Sequence, residues 1–264
     1  MTGPAIDPKE ALTVAERAAR EAGRIQAEYR SRGFYVRHKG EIDLVTEADI
    51  ACEEAIMNVI LSAYPDHDIL TEERETAKRG SPNRWVIDPL DGTINYAHGF
   101  PVYCASVALE SGGEVVAGAV YDPTRDEMFK AARGGGASLN EKPIRVSSTA
   151  RLTDALLATG FPYTIRTTPK NNLKQFGDFA MRAQALRRPG AAAIDLCYVA
   201  CGRLDGFWEF HLKPWDMAAG ALIVREAGGR VTMSDGSGFD LYRPDIVASN
   251  SLTHDEMLEV LAAG

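Results

Sequence analysis

The 264-residue sequence predicts an α+β fold in which two helices precede a sheet, after which strands and helices alternate. Three observations support this prediction. Apolar residues recur at helical spacing after Asp7-Pro8 and again after Thr46. From Trp85 onward the pattern changes to short runs of strand type, and beyond Val146 strand and helix patterns alternate along the chain.

The first two helices have recognisable start signals. Asp7 can accept hydrogen bonds from the first amides, and Pro8 needs no partner in the first turn, so a helix is expected from there to about Arg30. Thr46 followed by Asp49 resembles a capping box with Asp in place of the usual Glu. Asp49 is therefore expected in the first turn of the second helix.

Strands dominate the next segment. Residues 85–88, 102–110, 114–121 and 127–132 are predicted strands, with a hairpin turn at Ser111-Gly112-Gly113. A further buried strand is expected just before Glu72.

The second half alternates strands with helices. Strands are expected at 156–159, 205–210 and 246–248, and helices at 169–186, 191–202 and 214–227. A last helix is predicted after Thr253, with Glu256 three residues on as its capping partner. A change of composition around 134–150 predicts a boundary between an N-terminal α+β sub-domain, 1–145, and a C-terminal α/β sub-domain, 146–264.

Composition excludes several classes of protein. The chain is 45% apolar and 25% charged with a net charge of -8, which predicts a folded acidic protein without the basic stripe that binds nucleic acid. Charged residues interrupt the first 30 positions and no apolar run approaches ~18 residues, so neither a signal peptide nor a membrane span is expected. The four cysteines lie in apolar sequence, as is typical of buried free thiols in the cytoplasm.

Two familiar site motifs are not supported. Gly134-Gly135-Gly136 lacks the following Lys-Ser/Thr of a nucleotide phosphate loop, so a glycine-rich turn is the better interpretation. No Gly-x-Ser-x-Gly sequence is present, which argues against a serine nucleophile.

The segment around Asp88 carries the first chemical signal. A buried strand is expected to end there, because the following Pro89 cannot continue a ladder of hydrogen bonds. A tight turn over 88–91 would bring Asp88 and Asp91 together, with Cα atoms within about 7 Å, and leave the Leu90 carbonyl without a strand partner. Two carboxylates and a carbonyl are hard oxygen ligands of the kind that Mg²⁺ selects.

The next two residues extend this signal. The amides of Gly92 and Thr93 are expected to open a short helix, a place where phosphate binds readily, and the Thr93 hydroxyl can hold a water. Taken alone, the same string could be a simple surface turn, since Asp, Pro and Gly are all turn formers.

Other acids strengthen the interpretation as a site. Glu72 follows a predicted buried strand, and Asp216 follows Trp215 at the start of an Ala-rich helix, although the helix N-terminus alone could satisfy Asp216. Like charges about 4 Å apart repel by roughly 4 kcal/mol per pair at an effective dielectric near 20, so gathering these acids requires cations. Two divalent cations would cancel the charge of the four: Glu72, Asp88, Asp91 and Asp216.

Five ordered blocks of sequence extend over nearly the whole chain. The blocks are Asp43-Leu44-Val45-Thr46 with Asp49, Thr71-Glu72-Glu73, Trp85 to Thr93 with Asn95, Ala158 to Tyr163, and Pro214-Trp215-Asp216 leading to Glu226 to Gly229. Together they resemble the inositol monophosphatase family, most closely its bacterial inositol-1-monophosphatase type. The resemblance implies an αβαβα sandwich of the sugar-phosphatase type, which inositol monophosphatases and fructose-1,6-bisphosphatases share, and a homodimer.

The resemblance also implies the roles of the site residues, with most metal ligands in the N-terminal sub-domain. Two or three Mg²⁺ ions would bind per site: Glu72, Asp88 and the Leu90 carbonyl hold the first, and Asp88, Asp91 and Asp216 the second. The implied catalytic residues are Asp49, Thr93 and Glu72. The implied substrate contacts are Gly92, Thr93, Gly190, Ala192, Glu209 and Asp216.

The reaction implied is hydrolysis of inositol 1-phosphate to inositol and phosphate by a metal-activated water, with inhibition by lithium. Alternatives are fructose-1,6-bisphosphatase, histidinol-phosphatase or 3'-phosphoadenosine 5'-phosphate phosphatase activity, and a regulatory protein that acts through partners. Ala191 stands where the family usually has Ser or Thr, which removes a hydroxyl near the substrate. Glu209 could instead be an ordinary surface charge at a strand end.

Overall fold

The computed structural model describes residues 6–38, 44–74 and 79–263, and it shows helices and sheets in alternating layers. Two helices pack on one face of a seven-stranded sheet, and two others lie between that sheet and a five-stranded sheet. The remaining longer helices cover the second sheet. The layered αβαβα sandwich is confirmed. Asp43 lies outside the described residues.

The first half forms the outer helices and the larger sheet, whose strand order is β3-β4-β5-β6-β7-β8-β9. The helices are α1 (Pro8–Arg32), α2 (Glu47–Ala63) and the short α3 (Thr93–His98). The strands are β1 (Val36–His38), β2 (Leu44–Thr46), β3 (Asp68–Thr71), β4 (Asn83–Asp91), β5 (Cys104–Ser111), β6 (Glu114–Asp122), β7 (Glu127–Ala132), β8 (Ala137–Leu139) and β9 (Lys142–Pro143).

The second half forms the smaller sheet, of order β11-β10-β12-β14-β13, and the other helices. Its strands are β10 (Leu156–Thr159), β11 (Ala185–Arg187), β12 (Gly206–Phe210), β13 (Arg230–Thr232) and β14 (Asp245–Ser249). Its helices are α4 (Leu173–Ala180), α5 (Ala192–Ala200), α6 (Pro214–Glu226) and α7 (His254–Ala262). The two sheets lie on either side of residue 145 in sequence, and we retain the two sub-domains as a proposal.

Both N-terminal caps form as the sequence predicts. The Asp7 carboxylate accepts a hydrogen bond from Lys9 N at 2.9 Å, and α1 runs two residues beyond the expected Arg30, to Arg32. At α2 the Thr46 hydroxyl accepts from the Asp49 amide, and Asp49 Oδ2 accepts from Thr46 N at 2.7 Å. This reciprocal bonding fixes the Asp49 carboxylate in the first turn of α2.

Strand β4 contributes to two cores. Trp85 and Ile87 pack with α1 and α2, whereas Val86 packs with α5 and α6 on the opposite face. Successive side chains of a strand point to opposite faces, so a strand between two helix layers is apolar on both sides. The short apolar run before Asp88 is therefore a buried central strand.

Two expectations for the second half are wrong. The helix expected over 169–186 is confined to α4, and the chain then forms β11, which pairs in parallel with β10. Thr253 precedes α7 but its side chain makes no capping bond, and its hydroxyl donates to the nearby Asn250 Oδ1 at 3.1 Å. Glu256 accepts instead from the Leu152 amide at 3.3 Å. At β11 and at Glu256 a tertiary contact thus replaces the expected local one.

The glycine-rich segment is a turn, as expected. The amides of Gly134 and Gly136 both donate to the Glu226 carboxylate, each at 2.8 Å. This cradle of amides therefore holds a carboxylate of α6. The four cysteines are free, and three of them are buried. None of the helices in the described residues combines the length and apolar character that a membrane span requires.

His254 gives a prediction about pH and stability. Its imidazole is buried at the start of α7, 2.9 Å from each of the Thr232 and Ser249 hydroxyls, and burial lowers its pKa to about 4. The unfolded chain binds this proton near pH 6.5, so the contribution of neutral His254 to stability is complete above that pH and is lost as pH falls toward 4. Between pH 7 and 5 we expect Tm, measured by circular dichroism, to fall further for the wild type than for His254→Gln. Equal falls would contradict the assignment.

Candidate active site

One cavity of about 320 Å³ opens where β4 and β12 end and α6 begins. It brings together ten of the residues predicted for the site: Glu72, Asp88, Leu90, Asp91, Gly92, Thr93, Gly190, Ala192, Glu209 and Asp216. Asp49 is outside its lining but lies 3.1 Å from the Thr93 hydroxyl. Residues more than 100 positions apart thus share one pocket.

The chain does not turn at Asp88 as predicted, because β4 continues to Asp91. Asp88 is opposite Ser106 and Asp91 is opposite Cys104, so three steps along β4 match two along β5 and the strand contains a bulge. Pro89 lies in this bulge, beyond Ile87, where the pairing with β3 ends. A proline is tolerated there because no neighbouring strand requires its missing N–H.

A side chain from another layer supports the bulge. Gln26 of α1 is buried, and its Nε2 donates to the carbonyl oxygens of Pro89 at 2.8 Å and Cys104 at 3.3 Å. These carbonyls lie where the two strands move out of register. Sequence reasoning missed Gln26, whose only signal is a polar residue on the apolar side of α1.

Backbone amides orient three of the aspartates. In each carboxylate one oxygen accepts a hydrogen bond from a nearby N–H, which fixes the side chain and leaves its second oxygen for other ligands. The bonds are Leu90 N to Asp88 Oδ1 at 2.9 Å, Ala193 N to Asp91 Oδ2 at 2.8 Å, and Lys213 N to Asp216 Oδ2 at 2.7 Å. Asp216 thus bonds to the backbone at the start of α6 and also lines the cavity. Its two interpretations, as a residue satisfied by the helix N-terminus and as a site residue, are therefore compatible.

Each of these acids disfavours the ionised form of its neighbours. Burial raises the pKa of Asp88 well above its ordinary value, and the charges of Glu72 and Asp91 raise it further. Burial also raises the pKa of Asp91 to about 7, although the Ala193 amide opposes the shift. The pKa of Asp216 is raised by burial and then by Asp91. The cavity therefore favours cations or protons that neutralise it.

The carboxylates line one cavity without closing on a common point. In the part of the chain that the structure describes, no three His, Cys, Asp or Glu side chains form a group that could hold a metal as they are placed. The donors are hard oxygens, which fit a small divalent cation better than a soft one.

Thr93 connects the cavity to Asp49. Its hydroxyl lies 2.9 Å from the Leu90 carbonyl and 3.1 Å from Asp49 Oδ1. A hydroxyl has one proton, so it donates to only one of these oxygens at a time. The Leu90 carbonyl, expected to be free, is therefore shared with Thr93.

A second buried acid of α2 supports Glu72. Glu53 Oε1 accepts from the Thr71 hydroxyl at 2.7 Å and from the Glu73 amide at 3.1 Å, and so holds the residues on either side of Glu72. No sequence pattern pointed to a role for Glu53. Four apolar residues of α2 recur at helical spacing: Ala51, Ala55, Val59 and Ile60. Ile60 is buried, as are Asp49 and Glu53, whereas the other three are only partly buried.

Glu209 is a buried cavity residue and not a surface charge at a strand end. Burial raises its pKa to about 8, with a smaller opposing effect from Arg188. It lies directly against Gly160, where an added Cβ would be 2.2 Å from either carboxylate oxygen. Arg188 and Gly160 also line the cavity and were not singled out for the site from the sequence.

The loop before α5 is held by Asn95. Its Nδ2 lies 2.8 Å from the carbonyl oxygens of both Val102 and Pro189. Gly190 follows with φ +91°, and α5 begins two residues later at Ala192, next to the Ala193 amide that donates to Asp91. Asn95 therefore ties the predicted substrate loop to the segment after α3.

The layered sandwich and its acidic cavity beside a helix start are suited to binding a phosphate group together with cations. A sequence model of the inositol monophosphatase family matches residues 7–263. The chain belongs to the inositol monophosphatase family, and it is therefore a phosphoric monoester hydrolase.

Individual relatives agree with this membership. An inositol-1-monophosphatase of Synechocystis sp. is 49% identical over 230 residues, covering 86% of this chain and 80% of the relative. The protein named Nus factor SuhB of Pseudomonas aeruginosa is 43% identical, covering 95% of each chain. The solved inositol monophosphatase of Anabaena superposes with a TM-score of 0.88 at 39% identity, covering 97% of this chain and 96% of its own.

Proposed function

We propose that this chain is a Mg²⁺-dependent phosphatase of small phosphorylated polyols, with inositol 1-phosphate as its substrate. One observation carries the proposal: the four acids predicted as metal ligands, from three separate segments of the chain, line the same cavity as Thr93, whose hydroxyl contacts Asp49. Electrostatic repulsion disfavours several carboxylates in one cavity, so such a group of acids is typical of a site that binds cations.

The chain offers ligands for two or three Mg²⁺ ions. Glu72, Asp88 and the Leu90 carbonyl would hold one, and Asp88, Asp91 and Asp216 another. When bound, such ions neutralise phosphate oxygens and increase the acidity of water. The backbone bonds to the three aspartates orient them toward this task before any ion arrives.

Thr93 and Asp49 are suited to receive a proton from water. When the Thr93 hydroxyl donates to Asp49, its lone pairs can accept a hydrogen bond from a water in the cavity. Asp49 is itself held by the Thr46 amide, so the pair is rigid. Thr93 would therefore aim the attacking water, and Asp49 would hold Thr93 in the donor orientation that this requires.

The remaining contacts suit a phosphate and a small polyol. The Gly92 and Thr93 amides open α3, where a phosphate can bind. Gly190, Ala192, Glu209 and Asp216 line the rest of the cavity, whose carboxylates can accept hydrogen bonds from hydroxyl groups. A volume of about 320 Å³ accommodates a phosphorylated ring of sugar size.

Finer properties belong to the same proposal. The free cysteines fit the reducing conditions of the cytoplasm. A homodimer and sensitivity to lithium follow from the family resemblance. The relative of Pseudomonas aeruginosa is named a Nus factor, so a regulatory role is the rival from another class. Fructose 1,6-bisphosphate and histidinol phosphate are the rival substrates.

A panel of phosphate esters tests the proposal. We expect phosphate release from inositol 1-phosphate with Mg²⁺, no release with EDTA, inhibition by lithium, and at least tenfold lower kcat/KM for the rival esters, because their alcohols match the cavity less well. A higher kcat/KM for fructose 1,6-bisphosphate would reassign the substrate. No Mg²⁺-dependent release from any ester would leave only the regulatory alternative.

A further inference from the structure

Asn172 is a buried polar residue beside the cavity that has no role in the site described above. Its side chain makes three hydrogen bonds, each of 2.7 Å. Nδ2 donates to the Thr159 hydroxyl and to the Gly160 carbonyl, and Oδ1 accepts from Trp208 Nε1. Both amide hydrogens and the amide oxygen are thus used inside the protein.

The position of Asn172 in sequence makes this arrangement unusual. It directly precedes α4, where an Asn side chain normally caps its own helix, yet it makes no capping bond. The Leu173 amide is instead served by Asn171 Oδ1 at 3.1 Å. Asn172 also has φ +71°, a conformation that Asn tolerates better than most residues. The Asn172 side chain thus points into the protein and makes no bond to the amides of its own helix.

The bonds of Asn172 join two strands where their pairing stops. Thr159 and Trp208 form the last residue pair between β10 and β12. The Thr159 hydroxyl also donates to the Trp208 carbonyl at 2.5 Å. The next residue after each of them, Gly160 and Glu209, lines the cavity. Asn172 therefore continues the connection between the strands at the edge of the site.

Gly160 and Glu209 determine each other's position. A Cβ at residue 160 would lie 2.2 Å from both Glu209 carboxylate oxygens, so only a glycine lets the backbone approach this carboxylate. A shift of the Gly160 backbone would move the wall against which Glu209 rests. The hydrogen bond from Asn172 to the Gly160 carbonyl opposes such a shift.

We propose that Asn172 is a positioning residue for substrate specificity, which holds Gly160 against Glu209 so that this carboxylate can accept hydrogen bonds from hydroxyl groups of the polyol. The inference rests on the proposed phosphatase function. Asn172 lies outside the predicted ligand and water-activating groups. Its loss is therefore expected to affect recognition of the alcohol and not the chemistry at phosphorus.

Two variants disturb the arrangement in different ways. Asn172→Gly removes all three bonds while tolerating the positive φ, and Gly160→Ala inserts the Cβ that displaces Glu209. For inositol 1-phosphate with Mg²⁺ we expect both variants to raise KM about tenfold, as the loss of a hydrogen bond to a charged group predicts, with kcat changed less than twofold. For phenyl phosphate, which has no hydroxyl beside the ester, KM stays within twofold of the wild type.

A matched control separates positioning from stability. Asn250 is another buried Asn, whose Nδ2 donates to the Ser147 hydroxyl at 2.9 Å and to the Thr149 carbonyl at 2.8 Å. Its backbone N–H donates to the carbonyl oxygen of Asp205, at the opposite end of β12 from the cavity. We expect Asn250→Ala to lower Tm like Asn172→Gly but to leave KM for both esters unchanged. Adding Asn172→Gly to Glu209→Gln should raise KM no further, since both act on one contact.

Several results would overturn the inference: an unchanged KM for inositol 1-phosphate in Asn172→Gly, equal changes for both esters, or the same KM change in Asn250→Ala. Calorimetric titration with inositol and with inorganic phosphate gives a second readout without turnover. There, Asn172→Gly should weaken binding of inositol and not of phosphate, and equal weakening would reject the idea. A wild type that hydrolyses no ester rejects the proposed function, and the titration still decides the role of Asn172.

Discussion

Asp88→Asn is expected to reduce kcat for inositol 1-phosphate by about a thousandfold or more, because one neutral amide would replace the carboxylate proposed to join two Mg²⁺ ions. The loss of several kcal/mol of charge stabilisation corresponds to this factor. The fold should persist. Asn has nearly the same shape, and its carbonyl oxygen can still accept from the Leu90 amide at the 2.9 Å position.

Stability makes this prediction specific. Without metal, the variant should melt no lower than the wild type, since it removes a buried charge that Glu72 and Asp91 repel. With Mg²⁺ present, the wild type should gain in Tm and the variant should gain much less. Calorimetry with and without Mg²⁺, together with steady-state kinetics, measures both effects.

Asp205→Asn is the matched control for a buried aspartate. Asp205 accepts from the Ser147 hydroxyl and the Leu156 amide at the far end of β12, outside the cavity lining. We expect this variant to lose stability and to keep kcat within about threefold, because its partners lie away from the chemistry. Full activity in Asp88→Asn, or an equal loss in both variants, would reject the proposed site.

Gly92→Ala should have the second largest effect, on stability and activity together. Gly92 has φ +90°, and an added Cβ would lie 2.8 Å from the Val102 carbonyl and 3.3 Å from the Ala191 Cβ. Left-handed backbone costs about 1–2 kcal/mol for such a residue, and overpacking adds about 1–3 kcal/mol. We expect Tm to fall by roughly 5–10 °C.

Activity should fall as well, because the contacts of Gly92 reach both sides of the cavity. Relief of the clash would move either the start of α3, which carries Thr93, or the Ala191 segment before α5. A displacement of about 1 Å costs about a hundredfold in rate when catalytic groups must align, so kcat/KM should fall by about that factor.

Gly112→Ala isolates the reason for this effect. Gly112 also has positive φ, +60°, but a Cβ there meets nothing within 4 Å, and the residue lies in the hairpin turn between β5 and β6. This variant should lose only the stability that left-handed backbone costs a residue with a Cβ, and its kinetic constants should be unchanged. Equal losses of Tm and activity in the two alanine variants would contradict the proposed clash with Val102.

Much of the local structure could be predicted from the sequence. The start of α1 at Asp7-Pro8 and the capping box of Thr46 and Asp49 depend on residues within one turn of each other. The hairpin at Gly112-Gly113 depends on glycine conformations alone. Such features are encoded by near neighbours, which is why the sequence predicts them well.

Features that depend on distant residues could not be predicted. Pro89 suggests a turn, yet β4 continues through a bulge, because Gln26 of α1 donates a hydrogen bond to the Pro89 carbonyl oxygen and β3 no longer pairs beside it. The sequence pattern predicts helix where β11 forms, because the parallel partner of β11, strand β10, lies 29 positions earlier, with Leu156 opposite Ala185. No local pattern reports a partner at that distance.

The acids of the site illustrate both situations. The sequence by itself determined the chemical types, since Asp88 and Asp91 supply ligand oxygens and Gly92 supplies a residue that tolerates positive φ. Only the tertiary structure decided that Glu209 is buried beside Gly160 and that the remaining acids share its cavity. The physical reason is that donor chemistry belongs to single residues, whereas burial, repulsion and proximity arise only when distant segments pack against each other.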